Sequence, residues 1–199
     1  MTGKGSELQA IKMVRLLDRR SGKPIHVSHE YSLEKDGGYS REEVTEGFLR
    51  QGASLTIIGF LEEAQPLPYS AAAILDYPDI HFTRKQEAWR LEKSEVAGGG
   101  QLPQPVSTSL GVILPLICYD AYRFGSGKAP LGPWDGIDLI VVPAWWEKNF
   151  PVLKSAVRRL THQLTCSAVI VDVKHGTTIY NQAGRPQLEL ADESPGHPI

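Results

Sequence analysis

Three stretches of this chain are apolar nearly throughout: GVILPLIC at 111 to 118, IDLIVVPAWW at 137 to 146 and SAVIVDV at 167 to 173. They constrain the fold more than any other feature. A strand with one face in water alternates apolar and polar side chains, whereas a strand that is apolar at every position is covered on both faces. Between the second and third stretches lies KSAVRRLTHQL, in which Ala156, Val157, Leu160 and Leu164 fall on one helical face. A helix joining two doubly covered strands is the connection a parallel sheet requires. The chain is therefore read as α/β, with helices packed over sheet faces.

The other segments extend this pattern. IHVSH at 25 to 29 reads as a short strand. SREEVTEGFLRQG at 40 to 52 reads as a helix, because Ser40 is a suitable N-cap, Glu43 completes a capping box and Gly52 ends it. SLTIIGF and SAAAILDY have strand length and are joined by a loop holding Pro66 and Pro68, and IHFTRK is a further strand. Residues 7 to 17, ELQAIKMVRLL, place Leu8, Ile11, Val14 and Leu17 at roughly helical spacing and predict a helix that stops before Ser21-Gly22. TTIYNQAGRPQLEL predicts a hairpin turning at Ala183-Gly184. Residues 86 to 108, with Gly98-Gly99-Gly100, predict a long loop of the kind that tends to carry function. The tail, residues 191 to 199, is expected to be poorly ordered.

A chain of 199 residues, 41% hydrophobic, can bury one substantial core, so a single domain over residues 1 to 199 is expected. Its formal net charge of -2 offers no field to collect nucleic acid or an anionic membrane, and neither is expected as a partner. No apolar stretch approaches the length of a membrane span. Cys118 and Cys166 are too few and too isolated for a disulfide framework or a zinc site, which fits a reducing, cytoplasmic setting.

Cys118 stands directly after an apolar run and directly before the polar, aromatic YDAYRF. A free cysteine is often a small core hydrophobe. The carboxyl end of a buried strand is also where open α/β sheets present reacting groups. A free thiol, with a pKa of about 8.5, is mostly protonated at neutral pH, so a nucleophilic cysteine needs a base beside it or a lowered pKa.

ICYDAYRF resembles the nucleophile signature of the nitrilase superfamily, the carbon-nitrogen hydrolases, whose members read ICYD followed closely by Arg-Phe. Phe82-Thr83-Arg84-Lys85 resembles the family's lysine motif. IDLIVVPAWW resembles the strand after the nucleophile, and TTIYNQAGRPQLEL the late hairpin.

The resemblance implies a four-layer α-β-β-α sandwich and a catalytic set of glutamate, lysine and cysteine. Cys118 and Lys85 match two of these. Glu30 stands near the glutamate's place, within His29-Glu30 where the family often has Pro-Glu, and Glu34 is the alternative. A second, substrate-orienting glutamate corresponds to Glu92, or else to Glu95. Tyr119, through its backbone N-H, and Trp145, as pocket wall or core, complete the expected substrate site.

The resemblance implies no metal and no organic cofactor. The expected partner is a small-molecule amide or related substrate, with assembly into a homo-oligomer left open. Tyr119-Asp120 stands where nitrile-hydrolysing members carry Trp-Glu, which implies amides over nitriles.

The chain departs from the family in two ways. It is short and starts near the family's first helix, so the first strand is expected to be missing. It also carries one extra residue, Ala121 or Tyr122, between Asp120 and Arg123, a pair expected to form an ion pair shaping the turn. Two other readings stay open: a non-catalytic homologue acting in binding or assembly, and a Cys-His hydrolase using His162 or His175. Cys166 is read as core packing.

Overall fold

The computed structural model describes residues 13–17, 24–33, 38–48, 55–89, 94–147 and 149–190. One sheet runs in chain order through β1 (Met13–Leu17), β2 (Pro24–Ser28), β3 (Leu55–Glu62), β4 (Tyr69–Asp76) and β5 (Asp79–Arg84). The second is built from β6 (Val106–Thr108), β7 (Gly111–Pro115), β8 (Leu139–Ala144), β9 (Ser167–Asp172), β10 (Gly176–Tyr180) and β11 (Pro186–Leu190), again ordered as in the chain. Helix α1 (Arg41–Phe48) connects β2 to β3, α2 (Tyr119–Gly125) connects β7 to β8, and α3 (Phe150–Leu164) connects β8 to β9. The strand pairs spanned by these helices are parallel.

Strand periodicity sorts the apolar side chains into three layers. Leu55 and Ile57 of β3 meet Val141, Val169 and Val171 of β8 and β9 in a core between the sheets. Ile58 and Phe60, one step out of phase, pack with Val44 and Phe48 of α1. On the far side Ile140, Val142, Ala168 and Ile170 pack with Phe124 of α2 and with Leu153, Val157 and Leu160 of α3. Both sheets are thus covered on both faces, which is why β3, β8 and β9 are apolar almost without interruption. The arrangement is the expected α-β-β-α sandwich.

Local signals hold where chemistry specifies them. The capping box of α1 is formed: the Glu43 N-H donates to Ser40 Oγ at 3.1 Å and the Ser40 N-H to Glu43 Oε2 at 2.9 Å.

The predicted helix over residues 7 to 17 is not formed in its described part. Met13–Leu17 is a strand, paired antiparallel with β2 from Met13 opposite Ser28 to Leu17 opposite Pro24. Helical spacing over so short a run is a weak preference, and an unpaired edge of β2 is a stronger demand. A strand therefore does precede β2, the strand before Glu30, and this sheet has five described strands against six in the other. Two short elements, β6 and α2, also form where a loop and a turn were predicted. Residues 191 to 199, Gly52, Glu34 and Glu92 lie outside the described residues. Among the described residues no helix is long and apolar enough to cross a membrane.

Candidate active site

The first half of the site is the turn that follows β2. Ser28 and Ser32 bracket His29, Glu30 and Tyr31 and fasten this turn to β3. The Gly59 N-H donates to Ser28 Oγ at 2.9 Å, and Ser32 Oγ donates to the Gly59 carbonyl at 2.7 Å. The two hydroxyl oxygens lie 2.7 Å apart, and the Ser28 hydroxyl also donates to the His29 carbonyl at 3.2 Å. Tyr31 takes a left-handed conformation, φ 57°, which turns the chain back.

The turn lies directly on Gly59, where a Cβ would stand 2.4 Å from the His29 carbonyl oxygen and 2.9 Å from Glu30 Cα. Gly59→Ala is therefore expected to push the Glu30 backbone off β3 and lower stability by about 1–3 kcal/mol. An unchanged urea midpoint for this variant would contradict the packing described.

From this turn Glu30 meets Lys85, which follows β5. Both are fully buried, at 0% exposure, and Lys85 Nζ donates to Glu30 Oε1 at 2.9 Å. Ser70 Oγ donates to the same oxygen at 2.7 Å. Backbone bonds fix the lysine segment: the Lys85 N-H donates to the Ser70 carbonyl and the Gly99 N-H to the Lys85 carbonyl, each at 2.8 Å. A buried ion pair persists only when its geometry is good and further hydrogen bonds support it, and here they do. Glu30 Oε2, also buried, accepts no hydrogen bond among the described residues.

Cys118 supplies the third group. Its N-H donates to the Pro143 carbonyl at 2.9 Å, fixing it beside the end of β8. Its backbone, at φ 44° and ψ -99°, lies outside the regions open to an L-residue without strain, and strain of this kind clusters at functional positions. The thiol donates to the Trp145 carbonyl at 3.6 Å. Burial first, and then the negative charge of Glu30, push the thiol pKa well above its ordinary value, with Lys85 opposing them. The resting group is the thiol.

Cys166 is fully buried in the core over the second sheet, and burial pushes its thiol up to about 12. The charge of Asp138 adds to that rise, no lysine opposes it, and the side chain packs in this core.

The nucleophile and lysine motifs are tied together. The expected Asp120-Arg123 ion pair is not what shapes the elbow: both residues turn to the segment after Lys85 instead. Asp120 accepts the Gln86 N-H at 2.6 Å and the Glu87 N-H at 3.3 Å. Arg123 reaches Gln86 Oε1 at 3.1 Å and Glu87 Oε2 at 3.0 Å. Burial raises the Asp120 pKa to about 7. The extra residue of the signature is absorbed by α2, which buries Ala121 and leaves Tyr122 partly exposed.

The remaining candidates divide. The Tyr119 ring joins a row of aromatics: Trp89 at 4.8 Å between centroids, then Tyr122 at 5.8 Å from Tyr119, then Trp146 at 5.6 Å from Tyr122. Trp145 brings its carbonyl to the thiol, while its ring meets His29 at 6.4 Å and Tyr31 at 6.0 Å. Glu92 lies outside the described residues, and Glu95 is exposed. His175 bonds the Trp146 carbonyl, and neither it nor His162 is among the groups acting on the Cys118 thiol.

Sequence reasoning missed Ser28, Ser32, Gly59 and Ser70, the residues that hold Glu30. Only the symmetric placing of two serines around Glu30 in SHEYS gave a hint. Among the described residues no group of His, Cys, Asp and Glu is arranged to hold a metal ion.

No family model and no curated protein matches the sequence. Solved structures match the fold. A carbon-nitrogen hydrolase from Helicobacter pylori G27 superposes with a TM-score of 0.68 at 16% identity, over 83% of this chain and 72% of that one. A mutant amidase from Nesterenkonia sp. AN1, with acrylamide added to its active-site cysteine, gives 0.64 at 15%, over 83% and 74%. XC1258 from Xanthomonas campestris, a CN-hydrolase superfamily protein with an arsenic adduct in its active site, gives 0.60 at 18%, over 83% and 67%. This chain has the fold of the nitrilase superfamily.

Proposed function

We propose that this chain is a carbon-nitrogen hydrolase that cleaves a small amide or carbamoyl compound through a thioester on Cys118. The observation that carries the reading is the wholly buried Glu30-Lys85 pair beside a backbone-strained thiol whose proton is held on by burial and by Glu30. Three sequence-distant groups desolvated together cost stability, and such cost is characteristic of a reacting site.

Glu30 takes the thiol proton as Cys118 Sγ attacks the carbonyl carbon. The electron pair of the C=O bond moves to oxygen, and the ammonium of Lys85 and the Tyr119 N-H stabilise that oxyanion. Tyr119 opens α2, so its N-H has no acceptor within the helix. Collapse of the intermediate breaks the C-N bond, the proton on Glu30 passes to the departing amine, and the acyl group remains on sulfur. Water, losing a proton to Glu30, then attacks the thioester, and the acid departs as Cys118 regains its proton. No step calls on a metal or an organic cofactor.

Tyr119 and Asp120 after the nucleophile favour amides over nitriles. The row from Trp89 to Trp146 favours substrates with an apolar portion. A panel of amides, carbamoyl compounds and nitriles tests this reading. Hydrolysis of an amide faster than of its matching nitrile on one preparation is the expected result, and the reverse order refutes it. A chain acting only in binding or assembly would turn over neither.

A further inference from the structure

The Trp145-Trp146 peptide unit lies between the nucleophile and two residues that the mechanism does not use. Its carbonyl end, Trp145 C=O, accepts the Cys118 thiol at 3.6 Å. Its amide end, Trp146 N-H, donates to Asp172 Oδ2 at 2.7 Å. A trans peptide is planar, with C=O and N-H pointing in opposite directions, so fixing one end aims the other. Asp172 is itself fully buried and held, since its Oδ1 accepts the N-H groups of Lys174 at 2.9 Å and His175 at 2.8 Å.

The next peptide unit is anchored too. His175 Nε2 lies 3.0 Å from the Trp146 carbonyl and, because a carbonyl only accepts, carries the proton. The His175 ring stacks on Phe150 at 4.6 Å and 14° between planes. Trp145 and Trp146 follow the end of β8, so these side chains replace the ladder bonds that would otherwise hold the segment.

We propose that Asp172 and His175 are positioning residues for Cys118. They clamp both sides of Trp146 and thereby aim the Trp145 carbonyl that accepts the resting thiol proton and so fixes the position of Cys118 Sγ beside Glu30. The inference rests on the hydrolase reading, since orienting a thiol has a purpose only if that thiol reacts. Loss of the clamp frees Cys118 Sγ to leave that position, which slows acylation.

The test uses the full chain carrying Cys166→Ala, so that the S-H stretching band in the infrared reports Cys118 alone. His175→Phe keeps the stack on Phe150 and removes the donor, His175→Gln restores a donor, and Asp172→Asn removes an acceptor. The expected result is an S-H band moved to higher frequency in His175→Phe and Asp172→Asn and returned toward its original position in His175→Gln. The shifted variants are expected to lose about 10-fold in kcat with KM within about 2-fold. If Asp172→Asn fails to fold, the two His175 variants carry the test alone. An unmoved band in folded His175→Phe overturns the proposal, as does a KM rise with kcat unchanged. Undiminished turnover by Cys118→Ala would instead remove the thioester on Cys118 from the proposed function, and the band would still report whether the clamp exists.

Discussion

Cys118→Ala is expected to lower amide turnover by at least about four orders of magnitude, because it removes the atom that forms the covalent intermediate. Cys166→Ala is expected to retain turnover and to cost only about 1 kcal/mol of stability, the consequence of one small truncation in a packed core. The two cysteines are both buried and both hold their protons tightly. What separates them is company. Cys118 has an ammonium as well as a carboxylate acting on it and a strained backbone beneath it, whereas Cys166 packs in the core with the charge of Asp138 acting on it and no lysine opposing. Faster alkylation of Cys166 than of Cys118 in the folded protein would contradict this division.

The second large effect concerns Glu30 and Lys85. Lys85→Met removes an oxyanion donor, which is expected to slow the chemical step by about 100- to 1,000-fold. It also leaves Glu30 buried with its countercharge gone, at an expected cost of about 3–5 kcal/mol, the usual penalty for breaking a buried pair from one side. Glu30→Gln strands the ammonium in the same way.

The double variant Glu30→Gln/Lys85→Met has no buried charge at this place and is expected to recover most of that stability while remaining inactive. Urea midpoints of the four proteins read the coupling directly. Losses in the singles that simply add in the double would show that the two charges do not depend on each other.

The sequence carried the architecture further than the details of the site. Runs such as LIVVPA and SAVIVD are buried on both faces, and nothing but a doubly covered sheet explains them, so β8, α3 and β9 were legible. The capping box of α1 was legible because its chemistry lies within four residues. Met13–Leu17 was misread because its strand state depends on a partner, β2, that no local pattern announces.

In the candidate site, Cys118, Lys85 and Glu30 were expected from the resemblance, with Glu34 the alternative to Glu30, and the buried contact of Glu30 with Lys85 is what the structure adds. Ser70 was not, since a serine within an alanine-rich strand looks like ordinary core until Glu30 arrives from another strand. Asp120 and Arg123 suggested a mutual pair because they are close in sequence. Their partners, Gln86 and Glu87, are brought to them by the other sheet.

The central claim is that Cys118 carries an acyl group during turnover, and intact-mass measurement on acid-quenched protein tests it most directly. Mixed with an amide that it hydrolyses, the chain is expected to gain the mass of the acyl group, on the peptide holding Cys118, with nothing gained by Cys118→Ala. Turnover with no adduct at any quench time, or an adduct found on Cys166, would contradict the account.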